Sequence, residues 1–384
     1  MKALYLNLIF GLFLLQSQFI NNINFQFFSN SSFITLKINK SGTSNLLYNG
    51  NIDPYEIFTR PDRIYINNIQ QNDIAYSYNF NQENNIIKLE WDQDISICNA
   101  MFMNCKDIEE IDLSQFNSKN VIQMFRMFEN CHSLKYINFN NFDTSKVTYM
   151  GCMFYGCETL TSLNLSFFNT SQVTWMNQMF EHCSSLISLN LSNFDTSQVT
   201  EMYEMFNNCT SLVSLDISNF DTSKVNRMNY MFNNCKSLIS LNLSNFYSSV
   251  DITTTNMFNN CQKLEYINIK NIHANMERDS SDYMNMFTGI KINSVICVDQ
   301  MNNDHIVNQI KEMGCIVIDC SYEWQKNRNK LNSDNSCVDN CKTINKYEYN
   351  GQCYEKCPYS TKIIKIKDNN ENSCGIICPE ETPF

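Results

Sequence analysis

Residues Met179–Met202 read MFEHCSSLISLNLSNFDTSQVTEM, and this phrase recurs along the chain. The dipeptide Met-Phe begins at Met101, Met127, Met153, Met179, Met205, Met231 and Met257, a period of 26 residues. An eighth copy, Met286-Phe287, arrives three residues late. In the first seven copies a cysteine stands four positions after the Met, from Cys105 to Cys261. A period of 20 to 50 residues is the signature of a stacked solenoid, in which each unit buries its apolar side against the next. Such a molecule works through an extended surface more readily than through a cleft.

After the cysteine each copy carries L-x-x-L-x-L, as in Leu186, Leu189 and Leu191. This leucine-rich-repeat spacing predicts one short strand per coil and, from coil to coil, a curved parallel sheet. An aromatic three residues on (Phe116, Phe142, Phe168, Phe194, Phe220, Phe246) adds an inward plug. The triplets at Asp143, Asp195 and Asp221 follow as Asp-Thr-Ser, whose side-chain oxygens suit the free N–H groups of a helix start. Val225, Met228, Phe232 and Cys235 then step by three, four and three, the spacing of one helical face. The expected fold is therefore an α/β solenoid, a right-handed leucine-rich-repeat coil with a short helix in each unit.

Outward from the array, the chain divides into five parts. Residues 1–20 read as a secretory signal: Lys2, an apolar run from Ala3 to Leu15, then polar residues. The run is too short to cross a bilayer comfortably. Residues 21–96 contain three alternating apolar and polar runs, at Phe33–Ile38, Arg63–Asn67 and Asn85–Trp91, and predict a β-rich N-terminal cap. The solenoid of about eight coils spans 97–296. Residues 297–336 read as a C-terminal cap and 337–384 as a cysteine-rich module, expected to be incomplete at Phe384.

The phrase MF-x-x-C-x-S-L-x-S-L-N-L-S-N-F-D-T-S-x-V-T-x-M resembles the BspA-type leucine-rich-repeat surface proteins of bacteria and microbial eukaryotes. The segment Tyr347–Pro358 (YEYNGQCYEKCP) looks like the cysteine-rich modules of protist surface proteins and receptor stalks. The resemblance implies a secreted or surface-displayed role in adhesion or recognition. It does not imply a particular ligand, because fold alone does not fix function.

The chain holds 384 residues with a formal net charge of −11, which argues against nucleic acid as a partner. The repeat cysteines fit a buried column of small apolar thiols. Cys337, Cys341, Cys353, Cys357, Cys374 and Cys378 form three C-x-x-x-C pairs in a loop-rich stretch. In a secreted chain these read as disulfide cysteines, while a zinc cluster would favour two-residue spacing and nearby histidine. Their connectivity is open.

His132 and His182 adjoin Cys131 and Cys183, yet a nucleophilic couple also needs an orienting third group and an oxyanion site. No enzyme activity, cofactor or metal is expected. The candidate ligand face is the outward side of the predicted strands: Asp112, Tyr136, Asn138, Asn164, Asn190, Asp216, Asn242, Tyr266 and Asn268. It would serve as a hydrogen-bonding wall for an extracellular protein or a glycan, unless the Asn and Ser rows merely solvate the sheet. Asn30 and Asn39 are the candidate glycosylation sites. The sequons at Asn164, Asn190 and Asn242 arise from the repeat phrase itself. The expected product is a recognition or adhesion protein reached through the secretory pathway. The alternative is the ectodomain of a membrane receptor or coat antigen, with any membrane attachment lying beyond Phe384.

Overall fold

A computed structural model describes residues 32–50, 58–247, 252–272, 285–290 and 294–298, of Val295 only the backbone. Beyond these it gives only the course of a few short strands between residues 314 and 375. The predicted signal, residue Asn30, most of the C-terminal cap and the six tail cysteines lie outside the fully described residues.

The N-terminal part is antiparallel and forms two sheets, four of its strands joining the first repeat strands in one and the second and fifth strands pairing separately. Its strands are β1 (Ser32–Ile38), β2 (Gly42–Asn45), β3 (Arg63–Ile66), β4 (Ile69–Gln70), β5 (Ser77–Phe80) and β6 (Asn85–Trp91). In β1 the alternation predicted from sequence is realised: Ile34, Leu36 and Ile38 are buried, with Phe33, Thr35 and Lys37 half-buried on the other face. β1 pairs with β6 on one edge and with β7 (Ile108–Asp112), the first repeat strand, on the other, both antiparallel. The sheet is thus continuous from the N-terminal strands into the repeats. β1 covers the edge that the first coil would otherwise leave unpaired, and unpaired edges invite aggregation.

The repeats form a β-solenoid. Strand β7 pairs in parallel with β8 (Tyr136–Asn138). Further on, β9 (Ser188–Asn190), β10 (Ser214–Asp216), β11 (Ser240–Asn242), β12 (Tyr266–Asn268), β13 (Ser294–Cys297) and β14 (Gly314–Val317) form a second parallel sheet in sequence order. Between β8 and β9 the third coil, at Ser162–Asn164, carries no strand. The break coincides with Phe139, the bulkiest residue at its repeat position, whose ring meets Phe168 edge-on at 4.9 Å. Leu163 there is only half-buried. A second side of the coil stays in register throughout, as a ladder of single parallel bridges from Ile97 through Gln123, Tyr149, Trp175, Glu201 and Arg227 to Thr253.

The helix predicted in each coil is absent among the described residues, so the α/β expectation is corrected to a solenoid of strands and turns. Val225, Met228, Phe232 and Cys235 are all buried as the spacing demanded. Consecutive tight turns, however, produce the same three-four-three step. Each coil passes twice through the left-handed region, just before the Met and three residues after it: Gln178 (φ 57) and His182 (φ 60), then Glu204 (φ 57) and Asn208 (φ 60). A residue at positive φ cannot continue a right-handed helix. It rotates alternate N–H groups along the solenoid axis, where Phe128 donates to the Met153 carbonyl at 2.9 Å and Asn130 to that of Tyr155 at 2.7 Å. Backbone hydrogen bonding therefore runs between coils where a helix would have kept it within one.

The interior is a set of columns. Phe102, Phe128, Phe154 and Phe180 stack nearly parallel at 5.5–5.8 Å between centroids, and the column continues through Phe206, Phe232 and Phe258 to Phe287. Nine described cysteines are free and buried. From Cys131 to Cys261 each repeat thiol donates to the carbonyl of the Phe one coil back, at 3.1–3.3 Å. Burial pushes these thiols up, to about 12 for Cys183 and Cys261.

The Asp-Thr-Ser triplets do accept backbone N–H groups, but within turns. The Asp195 carboxylate takes the Ser197 N–H at 3.0 Å, two residues on, and this holds Asp195 below the usual carboxylate range. The buried threonine beside it has a larger role. Thr196 donates to the Asp221 carbonyl and accepts from the Asp221 N–H, both at 2.8 Å, so one hydroxyl satisfies both backbone groups of a residue one coil on. Thr144, Thr170 and Thr222 repeat the arrangement.

Candidate recognition surface

The strand side of the solenoid carries the residues singled out as a ligand face. Asn164, Asn190, Asp216 and Asn242 are exposed; Asp112, Tyr136, Asn138 and Tyr266 are half-buried; Asn268 is buried. The strands bring the row together in register, with Asp216 opposite Asn190 and Asn242 opposite Asn268.

In every member of the Asn/Asp row, a side-chain oxygen already accepts the N–H two residues ahead, at 2.9–3.2 Å: Ser114 to Asp112, Asn140 to Asn138, Ser166 to Asn164, Ser192 to Asn190, Ser218 to Asp216, Ser244 to Asn242 and Lys270 to Asn268. The row closes the turn that ends each strand. Its recurrence in the sequence has a local structural cause, and hydrogen bonds from the Ser218 hydroxyl and then its N–H hold the Asp216 carboxyl below its ordinary value. In the sequons at Asn164, Asn190 and Asn242 the hydroxyl-bearing residue is the one that donates. Asn39 is exposed at the end of β1. At the N-terminal end of the face, Glu110 is paired with Lys37 of β1 at 2.6 Å.

Sequence reasoning passed over the neighbouring row. Ile187, Val213 and Ile239 are 53%, 38% and 42% exposed, on three successive coils. Their backbones form a ladder, Val213 N–H to Ile187 C=O at 3.0 Å and Ile239 N–H to Val213 C=O at 3.2 Å. Beside them lie the exposed Ser188, Ser214 and Ser240. The equivalent position one coil before is Thr161, preceded by Lys135 and Glu109, which pair at 3.0 Å, and one coil after is Glu265. An apolar run over three successive coils was legible in the sequence, but in L-x-x-L it passes for part of the leucine pattern.

The bridge side has a different character. Tyr149 and Trp175 meet edge-on at 5.1 Å. Arg126 lies over the Phe125 ring at 4.9 Å and Arg227 over Tyr203 at 4.3 Å. A hydrogen-bonded seam runs beside them: Gln178 donates to Glu181 at 2.9 Å and to Glu204 at 2.8 Å, and Asn207 donates to Glu181 at 2.8 Å. Glu181 is 5% exposed. Burial first, and then the neighbouring Glu204 charge, lift its carboxyl to about 7. His182 turns its Nε2 to within 3.7 Å of Glu181, while the Cys183 thiol faces inward to Phe154. The adjacent Cys and His are therefore not a couple. Among the described residues no group of side chains is arranged to hold a metal ion.

A shallow polar groove lined by Thr43, Asn45, Asn104, Lys106 and Asp107 marks the junction of the N-terminal sheet and the first coil. No helix among the described residues is long and apolar enough to cross a membrane.

No curated protein matches the sequence. The family described as "Mycoplasma protein of unknown function, DUF285" matches residues 72–186 and again 159–272. Together these cover more than half of the chain and most of the solenoid. By this match, carried by the repeats whose stacking is described above, the chain belongs to the DUF285 family.

Proposed function

We propose that the chain is a non-catalytic recognition or adhesion protein of BspA-like type, secreted or displayed at the cell surface, that binds a protein partner through the strand side of its repeats. The observation that carries this reading is the exposed ridge Ile187–Val213–Ile239 alongside the Ser188–Ser214–Ser240 row. Three aliphatic side chains held in register by backbone bonds lose little freedom on binding and contribute apolar area where a contact needs it. Aliphatic ridges suit a protein more than a glycan, whose rings favour aromatic platforms. The Asn and Asp row frames the ridge and keeps it in shape.

The test is a binding screen of the full chain against extracellular-matrix proteins and a glycan array. A protein ligand whose affinity drops at least tenfold for Val213→Glu, with Asn164→Ala unchanged, supports the reading. Binding indifferent to Val213→Glu and Ile239→Glu overturns the strand side as the site. A catalytic activity abolished by one substitution overturns the whole proposal. The second reading, an ectodomain of a receptor or coat antigen, rests on the resemblance of the tail to stalk modules. Surface labelling of intact cells followed by detergent partitioning of the native protein separates it from a secreted form.

A further inference from the structure

We infer that residues 161–164 of the third coil open locally in the folded protein, a slack point built into the strand face. Three ties that other coils use are missing there. The first is the strand itself: one parallel sheet ends at β8, the next begins at β9, and neither takes up residues 162–164. The second is the rung ahead of the strand. The Lys135 N–H reaches the Glu109 carbonyl at 2.8 Å, that of Ile187 reaches Thr161 at 3.3 Å and that of Val213 reaches Ile187 at 3.0 Å. Among the described residues, the Thr161 N–H makes no such bond to Lys135. The third is the asparagine after the strand. Asn193, Asn219 and Asn245 each donate to two carbonyls of the coil before, at 2.7–3.2 Å. The third coil has Phe167 at this place, 49% exposed. A phenyl ring has no N–H to give to the Phe139 and Phe142 carbonyls.

Elsewhere the step from the second coil to the third is made. On the bridge side the Arg126 N–H donates to the Gly151 carbonyl at 3.0 Å, Phe128 to Met153 at 2.9 Å and Asn130 to Tyr155 at 2.7 Å. The Thr159 hydroxyl lies 2.8 and 2.9 Å from the His132 and Leu134 carbonyls, and Thr144 clasps both backbone groups of Asn169. The slack is therefore confined between two threonine anchors. Leu160, Leu165 and Phe168 on either side stay buried, while Leu163 alone in its column is half-buried. Stretches with few backbone bonds and little buried apolar surface open at least cost. Asp112, Tyr136 and Asn138 lie on one sheet and Asn190, Asp216 and Asn242 on the other, so strand hydrogen bonds do not couple the two halves of the face. The Ile187–Val213–Ile239 ridge lies wholly beyond the slack point, and the inference does not depend on what that ridge binds.

The test is hydrogen–deuterium exchange of the full chain, read by mass spectrometry. Amides of residues 161–165 should exchange at least about tenfold faster than those of residues 213–217, the same positions two coils on. Residues 149–156, on the bridge side of the same coil, should exchange no faster than residues 201–208. Phe167→Asn, at an exposed position, supplies the missing donor and should slow exchange at 161–165 at least about threefold. Phe167→Ala removes the ring without supplying a donor and should not slow it. Equal exchange in 161–165 and 213–217 overturns the inference. Fast exchange throughout 149–165 also overturns it, because the whole coil would then be unfolding. If Phe167→Asn protects no better than Phe167→Ala, the missing asparagine is not the cause and the slack point as assigned falls.

Discussion

The thiol of Cys183 donates to the carbonyl of Phe154 at 3.2 Å, and that carbonyl also accepts the N–H of Cys157 at 3.1 Å. The cysteine column thus gives the turn carbonyls a second partner besides filling space. Cys183→Ala is expected to lose buried volume and one weak hydrogen bond, costing about 1–2 kcal/mol in urea unfolding. The native repeat thiols should resist alkylation at pH 8, since burial both hides them and keeps them protonated. Rapid labelling of Cys183 in the folded protein would contradict the arrangement.

Thr196 is a sharper case, because its hydroxyl serves two backbone groups of Asp221 at once. Thr196→Val keeps the shape but strands an N–H and a C=O in a buried place. A loss of about 2–4 kcal/mol is expected. Thr196→Ser, which keeps the hydroxyl, should cost under about 1 kcal/mol on the same measurement. Equal costs for the two variants would mean that the hydroxyl contributes no more than the methyl.

Glu181 makes stability depend on pH in a defined direction. Its carboxyl in the folded chain, at about 7, lies above its ordinary value of 4.5, so the folded state holds the proton more tightly. The stabilisation is complete below about pH 4.5 and is lost as pH rises through 7. Glu129 and Glu201 are shifted the same way, while Asp143, Asp195 and Asp216 are shifted down and act only at lower pH. The thermal midpoint should fall between pH 5 and pH 8, by no more than about 3 kcal/mol of stability from Glu181. Glu181→Gln should flatten that slope. A wild-type midpoint that rises across this range would refute the assignment.

His182 occupies a left-handed position with φ 60. His182→Gly should be neutral or slightly stabilising, because glycine adopts this conformation freely. His182→Val should cost about 1–2 kcal/mol, since branching at Cβ makes positive φ least tolerable. Thermal melts of the two variants check the pair. If valine is as stable as glycine, the turn geometry is wrong.

The sequence disclosed the inward half of every coil. Met, Phe, Cys and Leu recur in phase, and each except Leu163 is buried where the spacing put it. The helix was misread because Val225, Met228, Phe232 and Cys235 satisfy a helical face and a run of tight turns equally well. The residue types at the left-handed positions conceal the difference. Asn130, Asn208 and Asn234 hint at it, but Arg126, Gln178 and Glu204 do not. The Asn190 row was visible as a column, yet its bond to the residue two ahead is a conformational fact that composition does not carry. Ile187, Val213 and Ile239 were concealed by belonging to a leucine-rich phrase. Tyr149, Trp175 and Glu201 stand a full repeat apart in sequence and become neighbours only on stacking.

The hydrogen bonds of thiol, threonine hydroxyl and turn backbone described above all reach to the adjacent coil and no further. Gain or loss of one whole 26-residue unit therefore leaves each remaining interior bond with an equivalent partner, and even across the three-residue gain before Met286 the Phe258 N–H still reaches the Met286 carbonyl at 2.9 Å. Length is the property such a chain can change most freely by recombination. Its binding surface can be lengthened, shortened or re-lettered while its interior chemistry stays the same.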